Sequence, residues 1–205
     1  SPLSLMKEAE ATSRAAVPKG SKDVVMVVNI GRINTVLSIV ARGSVWFSYT
    51  VKLGGDFLTR RLEETCFLSK ENADKAKNEK GLINSSDNQD VFGCLLPMIS
   101  SIRDEISKHL KYWTVHKKDF LVAQDVDDIR KIIICGSQSI IPGLTGYFST
   151  ALGLEVILSD PWVNSFNFDQ YIPPISYRDS LEYTTAIGLA LSSFQPKADP
   201  FEAEK

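Results

Sequence analysis

The sequence predicts an α/β fold: a five-stranded mixed sheet, an antiparallel three-strand meander plus two parallel strands, flanked by helices. Three observations predict it. Three β-type segments lie between residues 24 and 51, and their connections are too short for a parallel crossover, which needs about a dozen residues. A long stretch with helical periodicity follows. After Lys131 comes a strand, turn, helix, strand unit, whose strands join a sheet in parallel through a crossover.

Residues 4–16 are rich in Ala, Glu and Lys and read either as a short helix docked on the body or as a frayed terminus. Pro18, Gly20 and Ser21 make a loop. The run from Val24 to Val28 is continuously apolar and ends in Asn29-Ile30-Gly31, as expected of a central strand covered on both faces. Thr35 to Val40 is the second strand, Arg42-Gly43 reverses the chain, and Val45 to Val51 is β-branched and aromatic. A helix opens at Gly54-Gly55-Asp56, with Asp56 as its expected cap. Ser69, with Asn72 three residues on, starts a second helix to about Lys80, ended by Gly81. Beyond a polar loop at 84–89, Leu95, Ile99, Ile102, Ile106, Leu110 and Trp113 mark a long helix that begins or kinks near Pro97. Lys131 to Cys135 and Leu154 to Leu158 are the last strands, joined by a helix from about Pro142 to Leu152. An irregular stretch, 159–178, precedes a final helix over 180–194. The organisation expected is a helix and linker stub over 1–22, a body over 23–195 with a helical insertion at about 56–116, and a polar tail over 196–205.

Composition removes several classes. Lys plus Arg is 23 and Asp plus Glu is 25, a net charge of −2, without the basic excess of a phosphate-neutralising nucleic-acid binder. No stretch nears the roughly 18 apolar residues of a spanning helix, and no signal-peptide pattern opens the chain. A chain opening at Ser1-Pro2 without methionine reads as a piece of something longer. The three cysteines, Cys66, Cys94 and Cys135, are far apart in apolar surroundings and read as reduced, buried thiols in a cytosol. His109 and His116 lack zinc-ligand spacing and read as helix-surface residues. Hydrolase-elbow, dinucleotide and Walker signatures are absent. Asn84-Ser85-Ser86 is a chance glycosylation sequon, and Lys70, Lys75, Lys77 and Lys80, alternating with acids, read as a solvated face. The aromatics Tyr112 and Trp113, or Trp162, Phe166 and Phe168, form an interaction surface or cover the sheet edge and core.

Two turns carry more. Asn29-Ile30-Gly31-Arg32-Ile33-Asn34-Thr35 is a hairpin loop or a turn whose N–H groups converge on an anion. Cys135-Gly136-Ser137-Gln138-Ser139 lies at the carboxyl end of a parallel strand, where open α/β sheets place ligands, although plain connection chemistry would look the same.

Meander, helices and crossover unit together match one lobe of the ribonuclease-H-like folds, to which actin-type nucleotide-binding proteins belong. From about Val24 to Phe194 the chain resembles the second lobe of actin-like ATPases, most nearly the PilM family of type IV pilus assembly, with FtsA-type cell-division proteins more distant. Val27-Val28-Asn29-Ile30-Gly31-Arg32-Ile33-Asn34-Thr35 is similar to the second phosphate loop of that family, usually Val-Asp-Ile-Gly, a small residue and Thr. Leu53-Gly54-Gly55-Asp56-Phe57-Leu58-Thr59 resembles the opening of its next helix, and Ser69 to Lys77 its ribose-contacting helix. Cys135 to Leu144 resembles the adenosine motif, Leu154-Glu155-Val156 with Asp160-Pro161-Trp162 the segment after it, and Leu181 to Leu191 the closing helix.

The resemblance implies ATP or ADP as ligand, with Mg²⁺ only alongside nucleotide. Gly31 and Thr35 would face the terminal phosphates, Asp74 and Lys77 the ribose, and Gly136, Ser137 and Ile140 the adenine. It implies a bacterial, cytoplasmic protein held at the inner membrane through the cytoplasmic tails of pilus-assembly membrane proteins, with self-association a further expectation and no nucleic acid or direct membrane insertion. Two departures matter. Asn29 stands where the family has a metal-shell aspartate, and Arg32 puts bulk and charge where small residues admit phosphate. With the first lobe's phosphate loop absent, no ATPase activity is expected of these residues. Two readings stay open: a scaffold lobe of a pilus or related secretion machine with a degenerate half site, or the C-terminal half of an FtsA-like hydrolase.

Overall fold

The computed structural model describes residues 2–120 and 127–194; the tail expected over 196–205 lies outside the described residues. The elements are α1 (Pro2–Ala16), β1 (Val24–Ile30), β2 (Thr35–Ala41), β3 (Ser44–Val51), α2 (Gly55–Cys66), α3 (Lys70–Glu79), α4 (Gln89–Phe120), β4 (Lys131–Cys135), α5 (Leu144–Leu152), β5 (Glu155–Leu158), α6 (Tyr177–Ser180), a 3₁₀ turn (Leu181–Tyr183) and α7 (Thr184–Ser192). They form one five-stranded sheet in the order β3-β2-β1-β4-β5. β1 pairs antiparallel with β2, from Ile30 opposite Thr35 to Val24 opposite Ala41, and parallel with β4, from Val25 opposite Lys131 to Asn29 opposite Cys135. β2–β3 is antiparallel and β4–β5 parallel, as the meander and crossover patterns require.

β1 is central, so both of its faces are covered and its apolar run needs no polar alternation. Val24, Met26, Val28 and Ile30 point to the larger core with Leu58 and Leu62 of α2, Leu95 to Trp113 of α4, and Leu144 and Phe148 of α5. Val25 and Val27 point the other way, against Ala16 and Val17 at the end of α1. The two-residue turn between β2 and β3 holds Arg42 at φ 54° and Gly43 at φ 76°, the positive pair that matches strand twist in a tight hairpin.

The structure docks α1 rather than fraying it. Ala9, Ala11 and Ala15 are buried, Thr12 shares a 2.7 Å hydrogen bond with Thr185 of α7, and Asn164 Nδ2 donates to the carbonyls of Arg14 and Val17 at the helix end. Small residues on α1 let α7 approach closely.

Several expectations are corrected. α2 begins at Gly55 with Gly54 in the capping position and no side-chain cap, because Asp56 already lies in the first turn and pairs with Arg32. α4 starts at Gln89, so Pro97 sits inside it. His109 is buried instead of lying on the helix surface, because it follows Ile106 by one turn on the apolar stripe and meets Phe47 and Tyr49 of β3. Trp113 is fully buried and Trp162 half-buried, so the first is core and the second covers structure. Lys77 is buried although its lysine neighbours are exposed. Cys66 and Cys94 are half-buried and adjacent, because α2 packs its last turn on α4; only Cys135 is sealed inside.

Candidate functional site

The carboxyl ends of the parallel neighbours β1 and β4 lie side by side, so the turns leaving them protrude from one rim of the sheet. Gly31 N–H donates to Asn34 O at 2.9 Å and closes the first turn. Its carbonyls then accept from the start of α2: Gly55 N–H donates to Gly31 O at 3.0 Å and Asp56 N–H to Arg32 O at 2.8 Å. These two helix-terminal donors, free in most helices to meet an anion, are spent here on the neighbouring turn. The approach requires glycine, since a Cβ on Gly54 would lie 2.7 Å from Arg32 O. The second turn bends at Gly136, φ +90°, where a Cβ would strike the Asn29 side chain and the Ile30 carbonyl. Gln138 N–H donates to Ile30 O at 3.0 Å and Gly136 N–H to Leu181 O at 3.0 Å, bracing the turn against β1 and the 3₁₀ turn.

Between the turns is a cavity of about 700 Å³, closed on its third side by α3 and on its fourth by Glu182 and Tyr183. Of the residues singled out from the sequence, Asn29, Gly31, Asp74, Lys77, Gly136 and Ser137 line it. Thr35 and Ile140 do not. Thr35 is buried, and its hydroxyl donates to Leu53 O at 2.8 Å, because that carbonyl lies just past the end of β3. Ile140 is half-buried outside the lining. The residues not singled out as ligands are Arg32, Asp56, Lys70, Asn78, Gln138, Glu182 and Tyr183. Gln138 lies inside the glycine turn and could have been read from it, whereas the acid and tyrosine arrive with a distant helix that leaves no local signal.

Two ion pairs line the cavity, Lys77 with Asp74 and Arg32 with Asp56, beside Lys70 and Glu182. Lys77 Nζ donates to Thr59 Oγ1 at 2.8 Å, Asp74 Oδ1 at 2.9 Å and Gly55 O at 3.4 Å, an acceptor for each of its three protons. Thr59 Oγ1 in turn donates to Asp74 Oδ1 at 2.6 Å. Burial would raise the Asp74 pKa, but the hydrogen bonds from Thr59 and Lys77 and the nearby lysine charges outweigh it and hold the carboxyl below its usual range. Arg32 and Asp56 pair at 3.4 Å across the mouth, both well exposed, a contact worth little by itself. Asn29 Nδ2 reaches Thr185 Oγ1 at 3.4 Å, linking the rim to α7.

The donor set fits a nucleotide in part and a metal poorly. Gln138 is buried against Gly55 and its Oε1 has no partner, while its Nε2 donates to Ser137 Oγ at 3.1 Å, so this wall carries an unsatisfied acceptor just beneath its surface. Mg²⁺ prefers anionic oxygen, and Asn29 offers a neutral amide while Asp56 and Asp74 are engaged by cations. Among the described residues, no group of three or more His, Cys, Asp or Glu could hold a metal ion, and no helix is long and apolar enough to cross a membrane.

The family model described as type IV pilus assembly protein PilM matches residues 5–194. The chain belongs to the PilM family. Its backbone is similar to a chain of the PilM-PilN type IV pilus biogenesis complex, with a TM-score of 0.68 at 18% identity over 93% of this chain and 52% of that one. It is also similar to the ethanolamine utilization protein EutJ from Carboxydothermus hydrogenoformans, at 0.59 and 19% over 90% and 53% of the two chains. MreB5 of Spiroplasma citri bound to AMPPNP gives 0.62 and 14% over 90% and 57%. This PilM-family chain thus spans about half the length of the solved proteins it resembles, and the fold is that of the actin-like proteins.

Proposed function

We propose that this PilM-family chain is a scaffold lobe of type IV pilus or related secretion machinery, carrying half of a nucleotide site that no longer performs metal-dependent hydrolysis. The observation that carries the reading is the cavity between the glycine turns. Its walls keep the shape of a nucleotide cradle, while Arg32 and Lys77 are paired with Asp56 and Asp74 and its metal-shell position holds the amide of Asn29. In phosphoryl transfer nearly all acceleration comes from positioning and electrostatic stabilisation around metal and phosphate. Here the first amides of α2 are bonded to turn carbonyls, and Arg32 occupies the approach to them.

ATP or ADP binds weakly in this reading, with Gly31 toward the phosphates, Asp74 and Lys77 toward the ribose, and Gly136, Ser137 and Gln138 toward the base. When present, nucleotide stabilises the closed rim and leaves the bond to its terminal phosphate intact. The chain works in the cytoplasm, held at the inner membrane by the cytoplasmic tails of pilus-assembly membrane proteins, and the name of the solved PilM-PilN complex supports that class of partner.

The test is calorimetry of the full-length protein with ATP and ADP, with and without Mg²⁺, beside a phosphate-release assay. Nucleotide affinity that Mg²⁺ does not raise, and phosphate release at the buffer rate, are expected. Asn29→Asp should introduce a metal dependence. Steady phosphate release with Mg·ATP that disappears in Asn29→Ala would overturn the scaffold reading in favour of a hydrolase half.

A further inference from the structure

Cys66 closes α2 and Cys94 lies in the second turn of α4, and the fold brings their sulfurs to 2.9 Å across 28 positions of sequence. Both pack on the edge of the larger core and lie outside the cavity lining. Both are half-exposed, and the residue after Cys66, Phe67, is 91% exposed and turns the chain away at φ 55°, so small solutes reach the pair. Cys135 is fully buried on the opposite face of the sheet.

We propose that Cys66 and Cys94 are an oxidative modification site, at which a hydroperoxide joins the two sulfurs in a reversible disulfide that ties the end of α2 to the start of α4. Burial first, then the hydrogen bond and charge of Cys94 and the charge of Asp90, push the Cys66 thiol up to about 12, so it keeps its proton at neutral pH. Cys94 is taken as the sulfur oxidised first, and the chemistry is the same with the two exchanged. As thiolate it attacks one peroxide oxygen, the O–O bond breaks, the alkoxide or hydroxide leaves and takes a proton, and Cys94 becomes a sulfenic acid. The Cys66 sulfur then attacks the Cys94 sulfur, the S–O bond breaks, and water leaves with the Cys66 proton as the S–S bond forms. Two thiols and one hydroperoxide give one disulfide, one alcohol or water, and one further water. The two electrons lost by sulfur reduce the O–O bond. A cytosolic dithiol reverses the step, as expected of transient disulfides in a reducing compartment.

α2 begins at the cavity wall and ends at Cys66, so the bond fastens the helix that carries the Gly54-Gly55 contact onto the central helix of the larger core. The full-length protein is treated with hydrogen peroxide, alkylated with iodoacetamide and mapped by mass spectrometry, with an untreated sample and one re-reduced with dithiothreitol alongside. In the untreated protein Cys66 and Cys94 take the label and Cys135 does not. After peroxide, both lose it together, their peptides appear linked at roughly 2 Da below the summed reduced masses, and dithiothreitol restores both. The oxidised protein melts higher by on the order of 10 °C. Cys135→Ser behaves like the parent, and Cys66→Ser leaves Cys94 with an oxygen adduct and no link. Oxygen addition to one sulfur of the unmodified protein while the other still labels, linkage between two molecules, or retained labelling of both after peroxide would each overturn the proposal.

Discussion

Gly188→Ala is expected to destabilise the fold, against the ordinary preference of helices for alanine. Gly188 lies in the middle of α7, where a Cβ would run into the carbonyl oxygen of Ala11 on α1 and sit 2.5 Å from its carbonyl carbon. Carbon pairs pack best at about 3.5–4.0 Å, so the helices must part by roughly 1 Å. Parting strains the 2.7 Å bond between Thr12 and Thr185 and the 3.0 Å bond that Arg14 Nη1 donates to Gly188 O. Overpacking costs about 1–3 kcal/mol and each weakened hydrogen bond about 1 kcal/mol. Against this, alanine gains about 1 kcal/mol of helix propensity over glycine. The net is a loss of about 2–4 kcal/mol, or a fall in Tm of roughly 5–15 °C for a chain of this size. Gly93→Ala in α4 and Gly146→Ala in α5 are the controls, because both are exposed helical glycines with nothing within 4 Å of the added Cβ. They should gain up to about 1 kcal/mol and melt slightly higher. Calorimetric and circular-dichroism melts of the three variants decide it. A Gly188→Ala protein melting at or above the parent, or all three shifting together, would refute the close approach of α1 and α7.

His109 is neutral in the folded protein. Burial pulls its pKa below the ordinary value, the charge of Glu105 pulls it back in part, and Lys108 lowers it further; Phe47, Tyr49 and Tyr112 supply only rings around it and its near neighbours. Glu105 Oε2, 3.5 Å from Nε2, is the one carboxylate partner among the described residues that protonation would gain, and burial outweighs it. A depressed folded pKa gives stability that is complete above the unfolded value of about 6.5 and is lost as pH falls through the folded one. Urea melts of the parent should therefore weaken from about pH 6.5 downward, and those of His109→Phe should stay flat over the same range. Thr35→Val removes the hydroxyl that bonds Leu53 O and should cost about 1 kcal/mol in the same melts. Its nucleotide affinity by calorimetry should equal the parent's, since Thr35 lies outside the cavity.

The sheet was legible because each strand declared its surroundings. The unbroken apolar run of β1 could only be a strand covered twice, and connections of two to four residues could only be antiparallel. The burial of His109 was legible too, since it falls three after Ile106 and four before Trp113 on the α4 stripe; the residue type hid what the period stated. The glycines of the site were readable because Gly136 needs a backbone conformation that other residues rarely adopt. What could not be read depends on how distant elements meet. The sulfurs of Cys66 and Cys94 touch because α2 lies over α4, and Lys77 is buried because α3 turns that position onto Thr59 and the Gly55 carbonyl. Neither fact has a local signature.

The same distinction bears on the site itself. Shape there is fixed by backbone: Gly54, Gly55 and Gly136 let three chain segments approach within hydrogen-bonding distance, and the bonds between them run from main chain to main chain. Charge is fixed by side chains that changes of one residue can re-pair. On the proposed function, a cradle kept by glycines, with Arg32 and Lys77 bonded to Asp56 and Asp74, has retained the part of a nucleotide site that holds the rim together. In the reading proposed above, the part that would act on phosphate is lost with the carboxylate that Asn29 replaces. A wall whose amides serve the neighbouring turn first is a structural joint, and that is the property the proposed scaffold role requires of it.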